Sequence, residues 1–348
     1  MRKRYLLVAV AGFAITALIV VNWGEIIKAI QLIKTSTWQI LLVIPVIRST
    51  SMLAVARFYQ SFLAAFKYRV SMRKLFPLTL AVNFVNQISP SAGVTGATFL
   101  SYNLRDEVPA GKTTLVEYGR YFLTYTSYAI FLAVALGLVY FGGGIDRIIV
   151  RIVLLLVGGG LLLSIVFMVA LSSKGRFDQI VFLVQRFIDR ISHWFRRDNQ
   201  PLVGKDRIRR LLSEFHHGYD LVLRERRRLR DPLIYAMLSN LLEVTSLYII
   251  FLSLGQTLNP GVVIISYAVA NAVGTISLVP GDFGIYEVAL VTALSAIGVP
   301  LALALSATIL YRLLNKAILL PAGFIFYTRL ISRTPKARIT QGDGTASP

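Results

Sequence analysis

Charged side chains stand inside stretches that are otherwise apolar, among them Arg48, Arg57, Arg120, Glu243, Asp282, Glu287, Arg312 and Lys316. A charge at the centre of a bilayer costs roughly 2.5–3.5 kcal/mol even on the mildest insertion scale, so each needs a partner or a function. Arg48 lies ten residues into an apolar run that starts near Trp38, Arg57 follows nine residues later, and Arg120 lies five residues into the next full run. Glu243 is the twelfth residue of a later run, and Arg312 and Lys316, four apart, share one helix face. Two chemistries fit. Buried ion pairs, for example Glu243 or Glu287 with Arg312, would fix helix register. Alternatively, four arginines set against one or two deep carboxylates leave positive charge over, and a phosphate-bearing ligand suits the planar guanidinium fork. Arg57, near a membrane boundary, can also snorkel to lipid phosphates.

Composition says what must position these groups. Of 348 residues 55% are hydrophobic and 16% charged, against about 25% charged in an ordinary globular domain. The formal net charge of +20 is concentrated: fifteen of 37 Lys and Arg fall between Lys174 and Arg230. Most others flank apolar runs on one side. This is the positive-inside pattern of a membrane protein facing an anionic inner leaflet, and it excludes nucleic acid as the reason for the charge. The run Arg224 to Arg230 reads as an anchor to anionic inner-leaflet lipids. With no Cys, disulfides and thiolate metal sites are excluded. The three His lie in the basic segment, and adjacent His216 and His217 point to different helix faces, so neither a metal nor another cofactor is expected.

The runs predict an all-α, polytopic transmembrane bundle of about six full spans. Tyr5 to Asn22, after Met1-Arg-Lys-Arg, is long for a signal peptide and reads as an uncleaved first span. The others are Trp38 to Phe62, Leu115 to Tyr140, Ile148 to Leu171, Pro232 to Leu254 and Leu301 to Tyr327. A tight turn at Gly142–Gly144 joins the third and fourth. Residues 174–231 read as a cytoplasmic insert with two amphipathic helices. Two further stretches are broken: Leu75 to Tyr102 by Asn83, Asn86, Pro90, Gly93 and Gly96, and Val262 to Ile297 by Asn271, Gly274, Pro280, Gly281 and Gly284. Halves of about 13 residues are too short to span, so each stretch is expected to be a re-entrant hairpin. One domain, residues 1–330, is followed by a polar tail, 331–348, expected to be disordered.

The broken stretches repeat one another. At an offset of 188, Asn83 matches Asn271, Val85 matches Val273, Ile88-Ser89 matches Ile276-Ser277, Gly93 matches Gly281 and Gly96 matches Gly284. After a short drift Val108-Pro109 matches Val299-Pro300, and Arg120 matches Arg312. The repeats lie near 75–140 and 262–327. Three spans between them is an odd number, so the second copy is inserted upside down. Inverted repeats with interrupted helices are the architecture of secondary transporters, with the substrate where the broken segments meet.

Val279-Pro280-Gly281-Asp282-Phe283-Gly284-Ile285-Tyr286-Glu287, then Gly298-Val299-Pro300 and Tyr311-Arg312, resemble the transmembrane region of lysylphosphatidylglycerol synthases, the flippase-like integral membrane family. Ser89-Pro90-Ser91-Ala92-Gly93-Val94-Thr95-Gly96 and Arg57 fit the same family, and the resemblance covers about residues 5 to 330. Family members commonly carry Glu after the Gly matched by Gly96 and an acid before the Arg matched by Arg120. Here those positions hold Ala97 and Gly119, with Glu117 three residues before Arg120. The resemblance implies movement of a lipid or lipid-linked headgroup between leaflets, with the soluble aminoacyl-transferase domain absent. The expected function is therefore translocation of an anionic or zwitterionic headgroup, not an enzymatic reaction. Arg57, Asn83, Arg120, Glu243, Asn271, Glu287 and Arg312 are the candidate substrate-binding residues. The alternatives are a non-catalytic membrane subunit for a lipid-modifying enzyme or a membrane-embedded transferase. The expected setting is the cytoplasmic membrane with both termini inside; association into a homo-oligomer, the lipid and the energy source are left open.

Overall fold

The computed structural model describes residues 23–89, 94–141, 226–276 and 284–332, together with residues 158, 159, 162 and 282. The expected first span (5–22), the 142–144 turn, all but three residues of the fourth span (148–171), nearly all of the 174–231 insert and the polar tail from 333 on lie outside the described residues. So do Pro90, Gly93, Pro280 and Gly281.

Among the described residues the chain is all helix. α1 (Trp23–Lys34) and the single turn α2 (Trp38–Leu41) precede α3 (Ile44–Ala65), α4 (Met72–Ile88), α5 (Val94–Leu104) and α6 (Ala110–Phe141). After the Arg226–Leu229 turn come α7 (Arg230–Ser253), α8 (Pro260–Ile276), α9 (Ile285–Ala296) and α10 (Leu301–Ser332). Four segments are long and apolar enough to cross a membrane: Trp38–Ala65, Ala110–Val139, Arg230–Ser253 and Leu301–Ser332. These are the second, third, fifth and sixth spans expected from sequence. Large apolar side chains such as Leu42, Val46, Val134 and Leu313 point outward. In water such a surface invites association; in a bilayer it meets acyl chains.

The broken stretches are unequal hairpins. α4 and α8 have 17 residues each, about 26 Å of helix, whereas α5 has 11 and α9 has 12. The expectation of two short halves of similar length is corrected: the first half begins earlier, at Met72 and at Pro260, and nearly spans. The amphipathic α1, packed against α10, was also not anticipated.

The duplication is larger than its motifs. α6 and α10 have 32 residues each, and both start directly after the matched prolines, whose carbonyls accept from Lys112 and Ala304 N–H. Upstream, α3 and α7 end alike. Tyr68 N–H bonds Leu63 C=O at 3.0 Å, and Gln256 N–H bonds Phe251 C=O at 3.0 Å. Both caps place one residue at positive φ, Lys67 at 67° and Gly255 at 73°, the geometry of a Schellman C-cap. These positions again differ by 188, so each repeat is a four-helix unit, α3–α6 and α7–α10.

The units pack about a pseudo-two-fold axis. Each packing has its mate: α4 with α10 and α8 with α6, α5 with α6 and α9 with α10, α3 with α4 and α7 with α8. The α3–α7 contact is its own mate, and at its centre Ser51 Oγ lies 3.1 Å from Ser239 Oγ, a separation of 188 residues. A residue that touches its own copy marks a two-fold axis. Along this crossing Thr37 meets Ser253, Arg48 meets Glu243, and Ala65 meets Arg228, so α3 and α7 run antiparallel. The axis is therefore perpendicular to the helices, as inverted repeats require.

Since the chain has no cysteine of its own, this crossing is testable without background. Ser51→Cys with Ser239→Cys should form an intramolecular disulfide under mild oxidation, seen as a mobility shift on denaturing gels. Ser49→Cys, on the exposed side of α3, should not pair with Ser239→Cys. A bond in the second pair and none in the first would refute the axis.

Candidate functional site

Two apolar clusters flank the axis. One joins α8, α9, the first half of α10 and the second half of α6; the other joins α4, α5, the second half of α3 and the first half of α6. Between them lies a cavity of about 290 Å³ lined by charged, polar and aromatic side chains, near the lower end of the range for small-molecule sites. Its wall comes from both units and includes Arg48, Asn83, Arg120, Glu243, Asn271, Asp282, Arg312 and Lys316. Three ion pairs stand in or directly behind that wall.

The first pair is built into the first hairpin. Glu117 is fully buried and accepts from Arg120 Nη2 at 2.9 Å, Asn86 Nδ2 at 3.2 Å and the Tyr59 hydroxyl. Asn86 turns its other end to the broken segment, where its Oδ1 accepts the Gly96 N–H at 3.0 Å. A Cβ at position 96 would lie 2.2 Å from that oxygen, so only glycine lets α4 and α5 close this far. The Arg120 guanidinium also lies 4.7 Å from the Tyr121 ring centroid.

The second pair joins α9 to α10. Glu287 accepts from Arg312 Nε and, at 2.7 Å, from the N–H of Gly284, whose φ is 83°. The carboxylate thus caps the short α9 and complements its positive N-terminal end. Arg312 Nη2 reaches the Asp282 carbonyl at 3.2 Å, and its guanidinium stacks over Tyr286 at 4.3 Å. One turn on, Lys316 donates to Gln87 of the other unit at 2.5 Å, and Gln87 donates to Asn83.

The third pair crosses between units. Arg48 Nη1 lies 2.8 Å from Glu243 Oε1, with the arginine side chain 5% exposed. Tyr267 donates to Glu243 Oε2 at 2.6 Å, and Ser51 lies 3.5 Å from its other oxygen.

Of the seven residues expected at a site, Asn83, Arg120, Glu243, Asn271 and Arg312 line this cavity, with Glu287 behind Arg312. Arg57 does not: it is exposed on α3 and donates to Gln60 at 2.9 Å. Of the two pairings expected as examples for Arg312, the one with Glu287 is present, whereas Glu243 faces Arg48 instead. The expected surplus of positive charge is also corrected, because Arg48, Arg120 and Arg312 each face a carboxylate. Glu117 closes the gap left by Gly119, where a Cβ would lie 2.7 Å from the Phe62 ring. Arg48 and Glu117 were visible as charges in apolar runs, yet neither carried a repeat motif. Tyr59 and Tyr267 gave no signal distinct from ordinary core aromatics.

A family model described as the lysylphosphatidylglycerol synthase TM region matches residues 6–323. A UPF0104 membrane protein of Pyrococcus horikoshii is 24% identical over 334 residues, covering 90% of this chain and 93% of its own length. A UPF0104 membrane protein of Methanocaldococcus jannaschii is 23% identical over 268 residues, covering 74% and 75%.

Removing one member of a buried pair leaves the other charge stranded, at about 3–5 kcal/mol. Glu117→Ala should therefore destabilise the bundle by about that amount in unfolding from detergent micelles. Glu287→Ala should cost less, because that side chain is 27% exposed. The double change Glu117→Gln with Arg120→Gln should recover much of the loss.

Proposed function

The chain belongs to the lysylphosphatidylglycerol synthase transmembrane-region family, and on that premise we propose that it passes a phosphate-bearing lipid headgroup between leaflets of the cytoplasmic membrane. The observation that carries this reading is the cavity: lined by charged side chains, built by both repeats and set on the axis that relates them. A bundle that needed only stability would close its centre with apolar packing, since buried ion pairs rarely gain over hydrophobic replacements. A headgroup of phosphate size fits the space while acyl chains stay outside in lipid. Arg120 and Arg312 enter from opposite units and present planar forks suited to phosphate. The basic segment around residues 174–230 then faces the cytoplasm, with both termini on the same side.

Translocation of labelled phosphatidylglycerol in vesicles tests this reading. Each charge-assisted contact contributes about 1.5–3 kcal/mol, so Arg120→Ala or Arg312→Ala should lower flux roughly ten- to a hundredfold. Lys at either position should restore part of it, since charge returns without the fork. Arg57→Ala, on the outer surface, should leave flux near wild type. Wild-type flux in the Arg120→Ala, Arg312→Ala double variant would refute the site.

Orientation has its own test. An impermeant thiol reagent applied to intact cells should label Gly143→Cys and spare Gln200→Cys. The reverse pattern would overturn the assigned sidedness.

A further inference from the structure

We propose that one proton accompanies each anionic headgroup through the cavity, carried by Glu243 while Arg48 exchanges that carboxylate for the phosphate. The inference rests on the transport reading above and names its coupling ion.

Charge balance is the starting point. Arg48, Arg120, Arg312 and Lys316 stand in the wall, and Glu117, Glu243, Asp282 and Glu287 stand in or directly behind it. Among the described residues four positive groups face four negative ones. A phosphate monoanion entering such a site leaves a buried net negative charge, which is costly in a medium that solvates ions poorly. Neutrality returns if one carboxylate takes up a proton.

The geometry selects which one. Glu117 is fully buried behind Arg120 and tied to α3, α4 and its own helix. Glu287 holds the start of α9 through the Gly284 N–H, so freeing it would loosen the second hairpin. Asp282 sits in the connection before α9, next to the arginine that binds its own carbonyl. Glu243 differs from all three. Its paired cation comes from the other repeat, and both members of the pair lie on the cavity wall.

Arg48 is suited to leave it. The side chain is 5% exposed and lines the cavity, and Nε has no hydrogen-bond partner among the described residues. Nη1 approaches Glu243 Oε1 at 2.8 Å as an ion pair, which leaves Nε for a further acceptor. Buried donors left unsatisfied are expensive, and two phosphate oxygens would satisfy the guanidinium in bidentate fashion.

The exchange then balances. The phosphate takes Arg48, and Glu243 loses its counter-charge and binds one proton. Tyr267 still donates to one carboxyl oxygen, and the new O–H donates to Ser51 Oγ. When the headgroup leaves, Arg48 returns and the proton departs with the lipid; no covalent bond of the lipid changes. The groups that face Glu243 set the conditions for this step. They are Arg48 and Ser51 from α3, Tyr128 from α6, Tyr267 from α8, Tyr286 from α9 and Tyr311 from α10. Arg120, Arg312 and Lys316 line the same cavity. α2 brings no titratable side chain, and the Arg226–Leu229 turn packs at the far end of the α3–α7 crossing.

The experiment uses the full-length protein in phosphatidylcholine vesicles with fluorescent phosphatidylglycerol in the membrane and a pH dye in the lumen. Acidifying the side that the lipid leaves should accelerate flux, by up to about tenfold per pH unit where protonation limits the rate. Reversing the gradient should slow it, and the dye should register one proton per lipid moved. Glu243→Gln mimics the protonated carboxyl, so its flux should no longer respond to the gradient. Asp282→Asn and Glu287→Gln should keep that response. Flux in the wild type with no gradient response and no proton count overturns this proposal while leaving transport standing. Absence of flux at every pH overturns the transport reading itself. Loss of the response in Asp282→Asn but not Glu243→Gln overturns the assignment of the carrier. Because Glu243→Gln strands the Arg48 charge, the wild-type proton count decides the matter even if that variant does not fold.

Discussion

A charge buried in an apolar bundle must be neutralised within a few ångströms, and this constraint organises the centre of the molecule. Arg48 and Glu117 are 5% and 0% exposed, positions where an unpaired charge would outweigh much of the stability of a domain. The chain solves the problem by making each pair join separate elements. Arg48 and Glu243 join α3 to α7 across the repeats; Glu287 and Arg312 join the short α9 to α10. Glu117 and Arg120 share one helix, but Asn86 and Tyr59 bring α4 and α3 to the same carboxylate. Electrostatics fixes where the helices cross, while apolar packing on either side of the cavity supplies the bulk of the burial.

Duplication explains why the polar groups converge at the middle. A two-fold axis through Ser51 and Ser239 brings any polar position near it into contact with its own copy. Asn83 and Asn271, matched in sequence, both face the cavity for this reason. Charge, however, cannot be duplicated there. A perfect copy of Arg48 would place a second guanidinium across the axis, and a perfect copy of Glu243 a second carboxylate. The corresponding positions are Ala236 and Val55, so the central ion pair exists because the two units diverged where they meet.

The fold was legible in the sequence to the extent that it depends on local signals. Apolar runs located the four described spans, and Asn, Gly and Pro breaks located both hairpins. The matched C-caps of α3 and α7 were also present as a 188-residue offset, but Lys67 and Gly255 differ as residues and hid their shared backbone geometry. Pairing was not legible. An arginine in a helix can reach carboxylates on several neighbours, and only the crossing of α3 with α7 decides that Arg48 faces Glu243 rather than Arg312 doing so. The apparent surplus of positive charge arose in the same way. Glu117 sits three residues before Arg120, where a sequence reading sees an i,i+3 neighbour, not a carboxylate with donors from three residues around it.

The two hairpins also show that equal scaffolds need not be in equal states. Each short helix has a matched glycine in or just before its first turn, Gly96 or Gly284, whose N–H needs an acceptor. In the first unit the acceptor is Asn86, on the preceding helix, so α4 and α5 are tied together and to Glu117 beneath them. In the second unit the residue matching Asn86 is Gly274, and the acceptor is Glu287 from α9 itself. The second cap therefore closes within its own helix, and no side chain from position 274 bridges α8 to α9. A Cβ at that glycine would come within 3.4–3.6 Å of Tyr286 and Asp282, ordinary contact distances, so a side chain's first carbon could stand there. Its absence leaves the second hairpin without the α8–α9 side-chain clasp of the first, and the polar tie of α9 to α10 is the Glu287–Arg312 pair. An inverted repeat whose halves are clasped differently presents two unlike faces to the one cavity between them, an asymmetry that the transport proposed above would use.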